Sequence, residues 1–241
     1  MTEHILIIGG GQAGMQIAVT LREDGFEGSV TIVGEEHHGP YQRPPLSKAY
    51  LAGEADAETL ELRNPQFYVD NNIVVIPSEK VVSVSWGAEH GVAVTETGRE
   101  LPFNKLAIAT GSDPKRLTCE GADLDGVLYM RGLDDANELK ARWDGIQNIV
   151  VIGGGFIGLE VAAVARKYNK NVTVVHSRDR LMSRAVGPVV SDFFLEAHTK
   201  RGATVLLEKR LTKLHGENGK VTGVELQDGT VIPADAVMVG I

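Results

Sequence analysis

The chain has 241 residues, a formal net charge of −8 at pH 7, 43% apolar residues and 5% aromatics. That is enough apolar material for a real core in one or two domains, and the acidic balance gives no general attraction to nucleic acid or to an anionic membrane, so neither is expected as a partner. A single cysteine, Cys119, excludes an internal disulfide and a Cys-x-x-Cys redox pair, while 28 glycines stand well above the roughly 7% average with no collagen period.

Residues 1–11 carry Glu3 where a secretory signal needs basic charge, and the longest apolar stretch, 149–159, ends at Glu160, so a cytoplasmic location is expected. Residues 5–8, Ile-Leu-Ile-Ile, read as a buried parallel strand. The glycine run of IIGGGQAG follows, then a helical pattern through Met15, Val19 and Leu21, and a second β-branched run at 29–33. This strand–glycine–helix context gives Gly9, Gly11 and Gly14 a physical meaning. The first glycine permits the tight turn, the second lets a pyrophosphate approach the backbone, and the third lets helix pack closely on strand. Phosphate charge then meets the helix N-terminus. Glu35, just past the second strand, is placed to accept hydrogen bonds from a ribose diol.

After a Pro-rich loop at 41–48, residues 97–111 read as a turn followed by an apolar strand, 113–126 as a linker, and 134–143 as a helix. The opening pattern then returns. Ile149-Val150-Val151-Ile152 precedes Gly153, Gly155 and Gly158, with Ile157, Val161, Val164 and Ala165 at helical spacing and another β-branched run at 171–175. Gly9 and Gly153 are 144 positions apart. The tail repeats too: Gly98 and Pro102 match Gly229 and Pro233 at an offset of 131, which puts Gly111 opposite position 242. The chain is therefore read as C-terminally incomplete. Where a ribose-binding acid would end the second strand of the second copy stands His176-Ser177-Arg178-Asp179-Arg180. An acid selects a free 2′-hydroxyl and an arginine tolerates a 2′-phosphate, so NADH versus NADPH stays open, and Arg178 and Arg180 also read as an ordinary solvated loop.

Two dinucleotide fingerprints in one chain point to electron traffic between a nicotinamide donor and a flavin acceptor. Tyr41-Gln42-Arg43-Pro44-Pro45-Leu46-Ser47-Lys48, together with IIGGGQAG, the 107–114 segment AIATGSDP and VIGGGFIGLE, resembles the FAD-dependent ferredoxin reductases, of the pyridine nucleotide-disulfide oxidoreductase fold, over nearly all 241 residues. The resemblance implies that hydride passes from NAD(P)H to FAD and electrons then pass to a [2Fe-2S] ferredoxin of an oxygenase system. It implies that Gly9, Gly11, Ala13 and Gly14 meet the FAD pyrophosphate, Glu35 its adenosine ribose, and that Arg43 and Lys48 lie along the FAD, Lys48 near the isoalloxazine. Independently, a cation near the flavin N1/N5 region would stabilise the anionic reduced ring, although Lys48 also reads as a surface lysine. Val81, Thr110, Gly111 and Arg131 match further FAD-lining positions. Gly153, Gly155 and Gly158 would hold the nicotinamide dinucleotide, with Phe156 and Ile157 in the loop at its pyrophosphate, His176 and Arg178 at its adenosine end, and Gly240 near the nicotinamide.

Glu160, placed on the first turn of the second helix, would face the nicotinamide end or pair with Lys48, although a helix N-terminus favours a glutamate without any function. Lys48 and Glu160 are the two groups expected to tune the chemistry. Disulfide reductases of the same fold carry a cysteine in the loop facing the flavin, whereas residues 37–48 contain none, and Cys119 is expected to be inert. The histidines, including His37-His38, show no metal-ligand spacing, and no metal is expected. Members of the family continue with a second FAD-binding segment and a C-terminal interface domain. The expected fold is α/β, with two doubly wound Rossmann-like units, an FAD-binding domain at 1–113 and an NAD(P)-binding domain at 114–241. The alternative is an NAD(P)H-binding flavoprotein without a ferredoxin partner, serving rubredoxin or a nitrite reductase, or acting as a redox sensor.

Overall fold

The computed structural model describes residues 3–87 and 90–241. The chain divides into two compact units, Met1–Gln42 with Ala57–Ser112, and Arg43–Asp56 with Asp113–Ile241. The mixture of α and β with parallel sheets matches the expected fold class.

In the first unit, β1 (His4–Ile8) leads into α1 (Gln12–Glu23) and back to β2 (Ser29–Val33). A short helix α2 (Pro65–Asp70), N-capped by the Asn64 side chain, precedes β3 (Ile73–Ile76). An antiparallel trio, β4 (Val81–Trp86), β5 (Gly91–Thr95) and β6 (Glu100–Phe103), follows, and β7 (Lys105–Ile108) returns to the parallel sheet, whose order is β3-β2-β1-β7. The continuous apolar run of β1 is explained by cover on both faces. Ile5 and Ile7 pack with Met15, Ala18 and Val19 of α1, whereas Leu6 and Ile8 pack with Ala93, Leu101 and Phe103 of the antiparallel trio. Each such fully buried aliphatic contributes about 1.5–3 kcal/mol.

The second unit repeats this plan. After β8 (Val127–Tyr129) and α3 (Leu133–Arg142), the chain runs β9 (Asn148–Ile152), α4 (Phe156–Lys167), β10 (Asn171–Val175), α5 (Pro188–Lys200) and β11 (Thr204–Leu206). The second trio is β12 (Leu211–Glu217), β13 (Lys220–Leu226) and β14 (Val231–Pro233), and β15 (Ala236–Val239) closes a parallel sheet ordered β11-β10-β9-β15-β8. Val150 and Ile152 of β9 meet Leu214, Val221, Val224 and Leu226 of this trio, as Leu6 and Ile8 meet the first. The sequence repeat is thus a repeat of whole units, including their antiparallel covers.

Three local expectations need correction. The segment 43–56 groups with the second unit, which a contiguous division at 113/114 does not contain. Phe156 and Ile157 are the first two residues of α4, not loop, and both are exposed, so Ile157 is not part of the apolar face formed by Leu159, Val161, Ala162 and Ala165. Glu160 is the fifth residue of α4, beyond its first turn, so stabilisation by the helix N-terminus fades before reaching it.

Candidate functional site

The two glycine turns have the same construction. Gly9 adopts φ +120°, and a Cβ there would lie 2.1 Å from the Ala109 carbonyl oxygen. Gly153 adopts φ +110°, and its Cβ would lie 2.3 Å from the Gly240 oxygen. Ala109 and Gly240 are themselves bound to the strand ends, their N–H groups donating to Ile8 O at 2.7 Å and Ile152 O at 2.8 Å. The third glycines are equally confined: a Cβ on Gly14 or Gly158 would come within 2.0 or 2.3 Å of the first glycine's carbonyl oxygen. The middle positions differ in kind. Gly11 and Gly155 cap α1 and α4 in extended conformation, and a Cβ on Gly11 meets nothing within 4 Å, while one on Gly155 has only the Gly240 oxygen, 3.9 Å away. Each turn therefore presents bare backbone and helix N–H groups to open space, the donor set and the room a pyrophosphate requires. The dinucleotides fit these residues. Ala13 is exposed on the first turn of α1, and Thr110 and Gly111 are exposed just past β7. Glu35 reaches Lys80 Nζ at 3.0 Å, with about half of each side chain in solvent, and Val81 opens β4.

A second cluster lies within the second unit. Residues 46–50 form a short helical turn broken at Lys48, whose φ −124°, ψ −108° is not helical. From this kink Lys48 Nζ donates to Pro44 O at 2.9 Å and pairs with Glu160 Oε1 at 2.8 Å. The other carboxylate oxygen of Glu160 accepts from Ser47 Oγ at 2.5 Å. Ser47 is only 4% exposed, and the side chains of Lys48 and Glu160 are 50% and 24% exposed, so the pair sits at a boundary between protein and solvent. The expectation named pairing with Lys48 as one option for Glu160, and it is the arrangement present. Nothing in the sequence singled out Ser47 except its place in the motif. The segment is pinned by Tyr50 Oη on Asn137 Oδ1 and Tyr168 Oη on Ala52 O, both 2.5 Å, and by the Lys167–Glu54 ion pair. Arg43 Nη1 donates to Arg131 O at 2.9 Å, and the Arg131 and Gly132 N–H groups donate to Asp135 Oδ2 at 2.7 and 2.8 Å, fixing the start of α3.

At the end of β10, His176 faces inward. Its Nδ1 accepts from Gly154 N–H and its Nε2 donates to Arg180 O, each at 3.1 Å. Burial, first, holds its pKa below the usual histidine value. Arg178 is exposed, whereas Arg180 is not the solvated residue of a simple loop: its guanidinium donates to Val186 O, Ser191 Oγ and Ser183 O. Cys119 is half-buried beside the second unit's core, and burial pushes its thiol pKa up, the reverse of a reactive cysteine. Among the described residues no helix is long and apolar enough to cross a membrane.

Residues 3–241 match the family described as pyridine nucleotide-disulphide oxidoreductase. Rhodocoxin reductase from Rhodococcus erythropolis is 44% identical over 237 residues, covering 98% of this chain and 55% of the relative. Among solved structures, the ferredoxin reductase for the CYP199A2 system from Rhodopseudomonas palustris superposes with a TM-score of 0.95 at 39% identity, covering 99% of this chain and 58% of that one. The reductase in the covalent putidaredoxin reductase–putidaredoxin complex gives a TM-score of 0.93 at 36% identity, with the same coverages of 99% and 58%. The chain thus spans somewhat more than half the length of the relatives it matches.

Proposed function

Because the chain belongs to the pyridine nucleotide-disulphide oxidoreductase family, we propose that it serves hydride transfer from NAD(P)H to FAD, with electrons passing on to a [2Fe-2S] ferredoxin of an oxygenase system. The first unit would hold FAD through Gly9, Gly11, Ala13, Gly14 and Glu35, with Val81, Thr110 and Gly111 lining it. Arg43, Lys48 and Arg131 are assigned to FAD as well. The second unit would hold NAD(P)H through Gly153, Gly155, Phe156, Ile157 and Gly158, with Gly240 beside the turn. The observation that carries this reading is the duplicated glycine cradle, closed at its first and third positions and open at the middle one in both units. When bound, the two dinucleotides supply the redox chemistry, and no acid, base or nucleophile of the chain is needed.

The chain's own contribution is orientation and charge. Helix N–H groups at the starts of α1 and α4 neutralise phosphate charge. Lys48 supplies a fixed positive charge, and Glu160 holds it there with one oxygen while Ser47 holds the other. A half-exposed lysine would otherwise sample many rotamers, so this anchoring reduces the reorganisation needed when negative charge develops nearby. The names of the similar proteins support a ferredoxin-type acceptor, and the −8 charge gives no general attraction to anionic surfaces. The test is NAD(P)H consumption by the FAD-loaded protein with and without a [2Fe-2S] ferredoxin. Stimulated consumption with reduction of the iron–sulfur protein is expected; consumption that ignores the ferredoxin would remove it as the acceptor.

A further inference from the structure

We propose that the second unit binds NADPH more tightly than NADH, with Arg178 and Arg184 as the side chains that receive the 2′-phosphate. The proposal rests on the assignment of this unit to NAD(P)H and names which form it takes. At the end of β10, the position from which an acid would accept the ribose 2′-hydroxyl holds His176, and both of its ring nitrogens are already occupied, by Gly154 N–H and by Arg180 O, each at 3.1 Å. The ring lies under the glycine turn, where a Cβ on Gly154 would come within 3.1 Å of His176 Cγ. His176 is therefore a support for the turn and has no acceptor left for a ribose. Burial lowers its pKa, Arg178 and Arg184 lower it further, and the Arg180 carbonyl and Asp179 only partly oppose them, so the site favours the neutral ring.

Met182 N–H donates to Gly154 O at 2.8 Å and the Leu181 side chain lies against the same glycine, so the loop that carries Arg184 is held at the glycine turn, as the strand end that carries Arg178 is through His176. Both arginines are exposed, and among the described residues neither guanidinium has a side-chain or backbone partner. Arg180, by contrast, is committed to three acceptors in residues 183–191 and holds the loop that carries Arg184. The strand end is equally fixed, with Lys209 N–H donating to His176 O and Glu208 N–H to Arg178 O, both at 3.0 Å. Residues 176–184 thus hold three arginines against one aspartate in a chain whose net charge is −8. A phosphate dianion is the ligand this concentration of donors suits, because guanidinium groups pair with phosphate oxygens through charge-assisted hydrogen bonds. Asp179, the one acid in the stretch, is the group that would instead favour a free ribose.

The test is calorimetric titration of the 241-residue protein with NADPH and NADH, and with 2′,5′-ADP and 5′-AMP as probes that lack the nicotinamide. The expected result is that the 2′-phosphorylated member of each pair binds about tenfold tighter or better. Arg178→Ala and Arg184→Ala should each shrink that ratio at least several-fold, with thermal midpoints within about 2 °C of the parent because both side chains are exposed. His176→Asp should turn the preference toward NADH. Equal or tighter binding of NADH, or a ratio untouched by both arginine variants, overturns the proposal. Binding of none of the four ligands would instead overturn the assignment of this unit to NAD(P)H.

Discussion

Two glycines three residues apart in the second cradle should fail in opposite ways when replaced by alanine. At Gly158 the new Cβ would lie 2.3 Å from the Gly153 carbonyl oxygen and 3.0 Å from Val151 Cγ1. Relief needs a movement of about 1 Å in a turn fixed by Gly153 N–H on Val175 O at 2.9 Å, so the cost sits near the upper end of the overpacking range, about 3 kcal/mol. Better helix propensity returns about 1 kcal/mol, leaving about 2 kcal/mol of destabilisation, or roughly 4–8 °C in Tm for a chain of this size. At Gly155 the Cβ enters open space and the φ of −88° suits any residue, so only the weaker N-cap preference is lost, about 0.5 kcal/mol. That methyl does, however, occupy the face from which a pyrophosphate approaches. Thermal unfolding followed by circular dichroism, with nucleotide titration on the same samples, separates the two. Gly155→Ala should fold like the parent and bind NAD(P)H at least tenfold more weakly, and Gly158→Ala should lose stability. A Gly155→Ala protein with unchanged affinity, or a Gly158→Ala protein with unchanged Tm, would refute the reasoning.

Further expectations follow from other parts of the molecule. Lys170 is buried with Nζ donating to Trp143 O and Ile146 O at 2.5 and 2.7 Å and with its pKa lowered by burial; Lys170→Met leaves Ile146 O without that partner and Trp143 O with only the Ile146 N–H at 3.3 Å, and should cost about 1–3 kcal/mol in urea unfolding. His198, buried at the end of α5 and stacked on Phe194, has a pKa held below 6.5 by burial and by Arg201. Its unfolded form therefore binds more protons than its folded form below that value, so stability should fall as pH drops from about 7.5 through 6.5 toward the lowered folded pKa, as it should for His176. His198→Phe should flatten part of that slope in Tm measured against pH, and an unchanged slope would contradict it. Lys48→Ala should slow reduction of the flavin by NAD(P)H in stopped-flow absorbance while lowering stability by under about 1 kcal/mol, since the Glu160 pair is partly solvated. An unchanged rate would remove the role given to that charge.

The duplicated plan is legible in the sequence because strand, glycine turn and helix each leave a local signal: β-branched runs, glycines at fixed spacing, and apolar residues at helical period. The repeat even reaches Ala109 and Gly240, whose carbonyls back the two turns, through the offset between the two tails. What the sequence does not carry is tertiary choice. Segment 43–56 joins the second unit because Ser47, Tyr50, Ala52 and Glu54 find partners on α3, on α4 and on Tyr168 just past it, over 80 residues away. The helical period put Ile157 with the core, yet it stands exposed beside Phe156 at the start of α4, and burial begins only at Gly158 and Leu159. Arg180 and Arg178 are chemically alike and two residues apart; only the fold of 183–191 gives one a structural task and leaves the other exposed.

The central claim, one dinucleotide per unit, is tested most directly by the visible absorption of the purified chain recorded anaerobically, before and after NADPH and, separately, NADH. Flavin bands that bleach on adding a nicotinamide nucleotide are the predicted result, since both cradles are built to receive a pyrophosphate. A protein that neither carries nor takes up FAD, and whose NAD(P)H binding survives Gly155→Ala, would contradict the account.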